Sequence, residues 1–69
     1  MALKLIGTLL GNPDTPRGRV VRIYRDFEWD NFVVRIYIHG EHYEPADYFT
    51  DDLNDAHGTG FEMLAARPR

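Results

Sequence analysis

Phe32-Val33-Val34-Arg35-Ile36-Tyr37-Ile38-His39 is the stretch on which the fold turns. Phe32, Val34, Ile36 and Ile38 share one parity; Val33, Arg35, Tyr37 and His39 share the other. Successive side chains of a strand leave opposite faces, so this alternation reads as a strand with one apolar face and one basic, aromatic face. The preceding run from Arg19 to Phe27 repeats the pattern. Val21, Ile23 and Phe27 fall on one side, and Val20, Arg22, Tyr24 and Asp26 on the other. Glu28-Trp29-Asp30-Asn31 lies between the two runs and supplies Asp and Asn, which tolerate turn geometry, so the pair predicts a hairpin.

Working outward to the N-terminus, Leu3, Leu5 and Leu9 alternate with Lys4 and Thr8, which predicts a further strand with its leucines on the core side. Gly7 interrupts it and suggests a bulge. The segment from Gly11 to Gly18 holds Pro13 and Pro16 and reads as a loop. Toward the C-terminus, Gly40-Glu41 reads as a reversal, followed by an extended segment from His42 to Phe49. Pro45 has no N–H to give a ladder, which confines that segment to an edge or an irregular path.

Thr50 then suits a helix N-cap, with Asp51 and Asp52 in the first turn where negative charge favours the helix dipole. Leu53, Ala56, Gly60 and Leu64 form one helical stripe, with Phe61 and Met63 beside it. Gly58 and Gly60 each weaken a helix by about 1 kcal/mol relative to Ala, so the helix either packs very closely there or breaks there. Arg67-Pro68-Arg69 ends it with bases at the favourable pole. The expected fold is α+β, with residues 1–69 as a single domain. A three- to four-stranded antiparallel sheet carries one C-terminal helix on one face. The expected core is Val21, Ile23, Phe27, Phe32, Val34, Ile36, Ile38, Leu53, Ala56 and Leu64.

A chain of 69 residues buries only about 60% of the surface its unfolded form exposes, so it needs tight packing, oligomerisation or a His/carboxylate metal site. The absence of Cys removes disulfides, thiol chemistry and Cys-ligated zinc. Lys4 breaks the short apolar N-terminus, so neither a signal peptide nor a membrane span is expected, and the expected location is the cytoplasm. The net charge of −3 is unevenly spread. Residues 1–39 carry six bases and four acids, whereas residues 40–69 carry seven acids and two bases. That split predicts one basic and one acidic surface.

Two surfaces follow as candidate partner-binding sites. The first is the polar sheet face with Arg22, Tyr24, Arg35, Tyr37 and His39, joined by Lys4. Interleaved bases and aromatics suit a protein interface, or the stacking of single-stranded nucleic acid. They also make ordinary cross-strand pairs on a wet face. The second is the acidic run Glu44, Asp47, Asp51, Asp52 and Asp55, whose spaced carboxylates can imitate a phosphate backbone or simply cap the helix. His39 and His42, with His57 or Asp47, are too poorly aligned for zinc, so neither metal nor cofactor is expected. Catalysis has no motif: Thr15, Thr50 and Thr59 belong to no sequence motif with a base, and His57-Gly58-Thr59-Gly60 lacks the rest of a phosphate loop.

Residues 40–52, with Ala46-Asp47-Tyr48-Phe49-Thr50-Asp51-Asp52 at their heart and Asp55-Ala56 and Thr59 after them, resemble a stretch in small proteins of phages and prophages. There an A-D-Y-x-T-D-D run closes a small sheet and opens a helix. Gly60 stands where that pattern carries Ala. The resemblance implies a mobile-element origin. By analogy with anti-CRISPR and anti-restriction proteins, it also implies a non-enzymatic inhibitor that binds a host nucleic-acid-handling complex. A single-stranded nucleic-acid-binding module and a dimerising structural subunit are the alternatives.

Overall fold

Five strands and one helix follow one another along the computed structural model, which describes residues 3–11 and 15–66. Strands β1 (Leu3–Leu10), β2 (Arg19–Asp26) and β3 (Asn31–Ile38) form an antiparallel meander. Two short strands, β4 (Glu41–His42) and β5 (Tyr48–Thr50), share the far edge of β3, and helix α1 (Leu53–Ala65) follows. The expected α+β architecture is present, with the sheet four strands wide. The loop expected over Gly11–Gly18 lies partly outside the described residues, and the Arg67-Pro68-Arg69 stop wholly so.

Turn chemistry sets the register. Asp26 pairs with Asn31, and its Oδ1 accepts the N–H groups of Glu28 at 2.9 Å and Trp29 at 3.3 Å. That side-chain closure starts the turn one residue earlier than expected and satisfies a carboxylate that is only 7% exposed. Phe27 is thereby carried into the turn and is 58% exposed, which removes it from the expected core. Between β3 and β4 the chain reverses over two residues, His39 and Gly40, both with positive φ (52° and 85°). This is the hairpin geometry whose twist matches the flanking strands, and it takes His39 off the strand alternation.

The fourth row is interrupted as Pro45 foretold. Tyr43 N–H still reaches the Ile36 carbonyl at 2.9 Å, then a 3-10 turn over Glu44–Ala46 detours past Arg35 before Tyr48 rejoins β3 opposite Val34. On the other edge, Gly7 marks a register shift. Leu5 faces Tyr24 while Gly7 faces Ile23, so Ile6 is the extra residue. The bulge splits the three leucines expected on one side. Leu9 joins Val21 on the helix side, whereas Leu3 and Leu5 join Asp26 and Tyr24 on the opposite face. Lys4, expected on the polar face, sits opposite Arg25 on the helix side.

The helix lies mainly on β2 and β3. Val21, Ile23, Val34, Ile36, Ala56 and Leu64 form the buried core, and Leu9, Phe32, Ile38, Ala46 and Met63 pack around it. The helix runs unbroken through Gly58 and Gly60. A Cβ on Gly60 would stand 2.7 Å from Leu9 Cδ1 and 3.0 Å from Val21 Cγ1, so the missing side chain is what lets the axis approach the sheet. Leu53, the first helical residue, is 40% exposed because the small residues at 56 and 60 bring the axis down beyond it. The N-cap is Asp52 rather than Thr50. Its Oδ1 accepts from Asn54 N–H at 2.8 Å and Asp55 N–H at 3.4 Å, while Thr50 Oγ1 accepts from Asp52 N–H at 3.2 Å. The other pole is served from the sheet: Arg19 Nη1 donates to the Met63 carbonyl at 3.0 Å and to that of Ala66. No helix among the described residues is long and apolar enough to cross a membrane.

Candidate binding face

The sheet face turned away from the helix is organised in rows across the strands. One row is Leu5, Tyr24, Val33 and Phe49, taken from β1, β2, β3 and β5. The next is Thr8, Arg22 and Arg35; the one beyond is Leu10, Val20, Tyr37 and His42. Four of the six residues expected on this face are brought together: Arg22, Tyr24, Arg35 and Tyr37. His39 is not, since the left-handed turn places its ring against Gly18, and His42 takes its position beside Tyr37.

These four residues lock diagonally. The Arg22 guanidinium sits 4.6 Å from the Tyr37 ring centre, and the Arg35 guanidinium 5.2 Å from that of Tyr24. The Tyr24 and Tyr37 hydroxyls are 3.1 Å apart. Burial, and then the bond to Tyr37, push the Tyr24 phenol above its ordinary value. The bond from Tyr24, helped by Arg35 and Arg22, holds the Tyr37 phenol below its own.

At the rim of this cluster, His42 Nε2 is 2.7 Å from Asp47 Oδ1, and Asp47 Oδ2 is 3.9 Å from Arg35 Nε. The same face exposes large apolar side chains that the alternation assigned to the core side or left aside: Leu5 (49%) and Phe49 (59%). Beneath them Val33 is 1% exposed, a burial that its polar-side parity did not foretell.

The acidic run does not act as one stripe. Asp47 is held in the His42 and Arg35 contacts, Asp52 caps the helix, and Asp55 accepts the Tyr48 hydroxyl at 2.6 Å. Glu44 and Asp51 are exposed. The bond from Tyr48, and one from Thr50, hold the Asp55 carboxyl below the ordinary carboxylate range. The sign follows directly: a depressed carboxylate stabilises the fold above its unfolded pKa of about 4, and that contribution is lost as pH falls through the folded value. The Asp55 carboxyl carbon, followed by NMR against pH, should titrate below the ordinary carboxylate range. Tyr48→Phe should raise its midpoint; an unmoved midpoint would rule out the phenol as the cause.

Arg19, Ile36, Ile38, Tyr43, Ala46, Met63 and Ala66 line a largely apolar cavity of about 420 Å³ on the helix side. Among the described residues no three His, Asp or Glu side chains are grouped for a metal ion. No family model matches the chain, and no curated protein or solved structure is significantly similar to it.

Proposed function

We propose that this chain is a non-enzymatic binding domain that engages a partner protein through the sheet face opposite the helix. The observation that carries the reading is the adjacency, on one face, of the apolar row Leu5, Tyr24, Val33 and Phe49 and the Arg22/Arg35 row. Exposed apolar side chains beside Tyr and Arg are the composition of an interface centre, where water is excluded around a few strong anchors. The Arg–Tyr contacts hold those anchors in place before binding, which reduces the ordering that association must impose. Nucleic acid is the weaker reading, because the Tyr24 and Tyr37 rings already carry guanidinium groups that compete with bases for stacking. The host-directed form of the proposal, an inhibitor of a host nucleic-acid-handling complex, rests on the phage-like residues 40–52 alone.

The test is affinity capture from nuclease-treated bacterial lysate with four versions of the chain. A protein retained by the wild type and by Asp51→Asn, and lost from Arg35→Glu and Phe49→Glu, is the expected result. Recovery of nucleic acid alone, and only before nuclease, would replace the partner protein with single-stranded nucleic acid. A concentration-dependent mass abolished by Phe49→Glu, with nothing captured, would replace it with a second copy.

A further inference from the structure

We propose that the Arg22/Arg35 pair is an oxyanion site that receives a carboxylate from an acidic side chain of the partner protein; this rests on the reading that the face binds a protein. The register sets Arg22 directly opposite Arg35 on β2 and β3. Like charges opposed across two strands destabilise a sheet, and an anion between them relieves the repulsion.

The other two arginines of β2 are already committed: Arg25 to Asp30, and Arg19 to the carbonyls that end the helix. Arg22 and Arg35 lean on the Tyr37 and Tyr24 rings instead, and neither has a carboxylate within hydrogen-bonding distance. Among the described residues Arg22 is in no ion pair, and the carboxylate nearest Arg35 stands 3.9 Å from its Nε, beyond hydrogen-bonding distance. Asp47 cannot serve Arg35 fully because its other oxygen is held by His42 at 2.7 Å.

The surroundings select the ligand. A guanidinium presents a planar fork that matches a carboxylate, and a partner's acidic side chains can meet the Arg22 and Arg35 forks singly or as a neighbouring pair. Leu5 and Phe49 on the adjacent row are exposed, and a partner that covers them excludes water and strengthens each charge-assisted bond. The rings in reach, Tyr24 and Tyr37, are occupied by the same arginines, so the site offers an oxyanion its charge and offers bases little open aromatic surface.

The test uses the full chain, isotope-labelled, with the arginine Nε–Hε signals followed by NMR. The probes are an oligoglutamate peptide, a short oligothymidylate, and sodium chloride at matched ionic strength. Oligoglutamate should produce saturable shifts at Arg22 and Arg35 that chloride does not, with Arg25 unmoved. Arg22→Gln should weaken that binding by at least about fivefold, and Arg35→Lys, which keeps the charge but loses the fork, by at least about threefold. Shifts that follow chloride, that reach Arg25 equally, or that survive both substitutions would overturn the site. Oligothymidylate binding more than about tenfold tighter would replace the carboxylate with a phosphodiester. The peptide needs no partner, so the two readings fail separately. Saturable peptide binding with nothing captured from lysate removes the partner, whereas a captured partner with no peptide binding removes the carboxylate site.

Discussion

Gly60→Val is expected to lower the unfolding free energy by about 2–3 kcal/mol, measured as the urea midpoint shift at constant slope. The cause is distance. A Cβ at position 60 would meet Leu9 Cδ1 at 2.7 Å and Val21 Cγ1 at 3.0 Å, and the branches of Val would extend further into the same space. Leu9 can swing, since its methyl is the end of a flexible side chain. Val21 cannot: it is branched at Cβ, fully buried and paired on both sides, with Leu9 and with Ile36. The helix must then lift, loosening Ala56 and Leu64, which lie one turn to either side on the same stripe. A domain of this length has roughly 4–10 kcal/mol in all, so the loss is a large share. Gly58 is the internal control. Nothing lies within 4 Å of its would-be Cβ, and Gly58→Ala should raise stability by about 1 kcal/mol through helix propensity alone. Equal and opposite-to-expected behaviour at the two positions, with Gly60→Val as mild as a surface change, would mean that the helix is not seated where its small residues bring it.

The same contrast shows where sequence reasoning stops. Period-two alternation in residues 32–38 and 19–26 suffices for two strands and for six of the ten expected core residues, because both strands are interior and their faces differ sharply in polarity. Gly60 offered two readings, close packing or a break, and nothing in composition chooses between them; the choice depends on what β1 and β2 place beneath the helix. Phe27 was misplaced because strand length is decided by Asp26, whose side chain closes the turn early. Leu53 fits the helical stripe by spacing, yet spacing does not reveal where the stripe meets the sheet.

The candidate face is legible in part for the same reason. Arg22, Tyr24, Arg35 and Tyr37 follow from alternation within two strands. Leu5 and Phe49 do not, since Leu5 reaches the face only through the one-residue bulge at Ile6 and Phe49 only through the detour around Pro45. Both irregularities change parity, and one residue of slip moves every side chain beyond it to the other face. Gly7 and Pro45 were the available signals. Each announced that regular pairing would fail nearby, and neither indicated by how many residues.

Val33→Thr tests the consequence of that slip, and it is expected to cost about 1–3 kcal/mol. On a wet sheet face the exchange would be nearly neutral, because Val and Thr have the same shape and both suit strands. Val33 is not on a wet face. It is 1% exposed on the side opposite the helix, between its cross-strand neighbours Tyr24 and Phe49, with Leu5 beyond Tyr24 in the same row. A hydroxyl there gives up its water for a site lined by apolar and aromatic side chains. Val20, on the same face and opposite Tyr37, is only half-buried, so Val20→Thr should change stability by less than about 0.5 kcal/mol. If the two substitutions behave alike, the apolar row is an exposed patch whose side chains move independently. If Val33→Thr alone is costly, the row is a second small core beside the Arg22/Arg35 pair, and the arginines stand against a rigid row. A rigid row also predicts that Val33→Thr weakens oligoglutamate binding without altering either arginine, because Tyr24, which Val33 faces across the strands, would hold the Arg35 guanidinium less firmly.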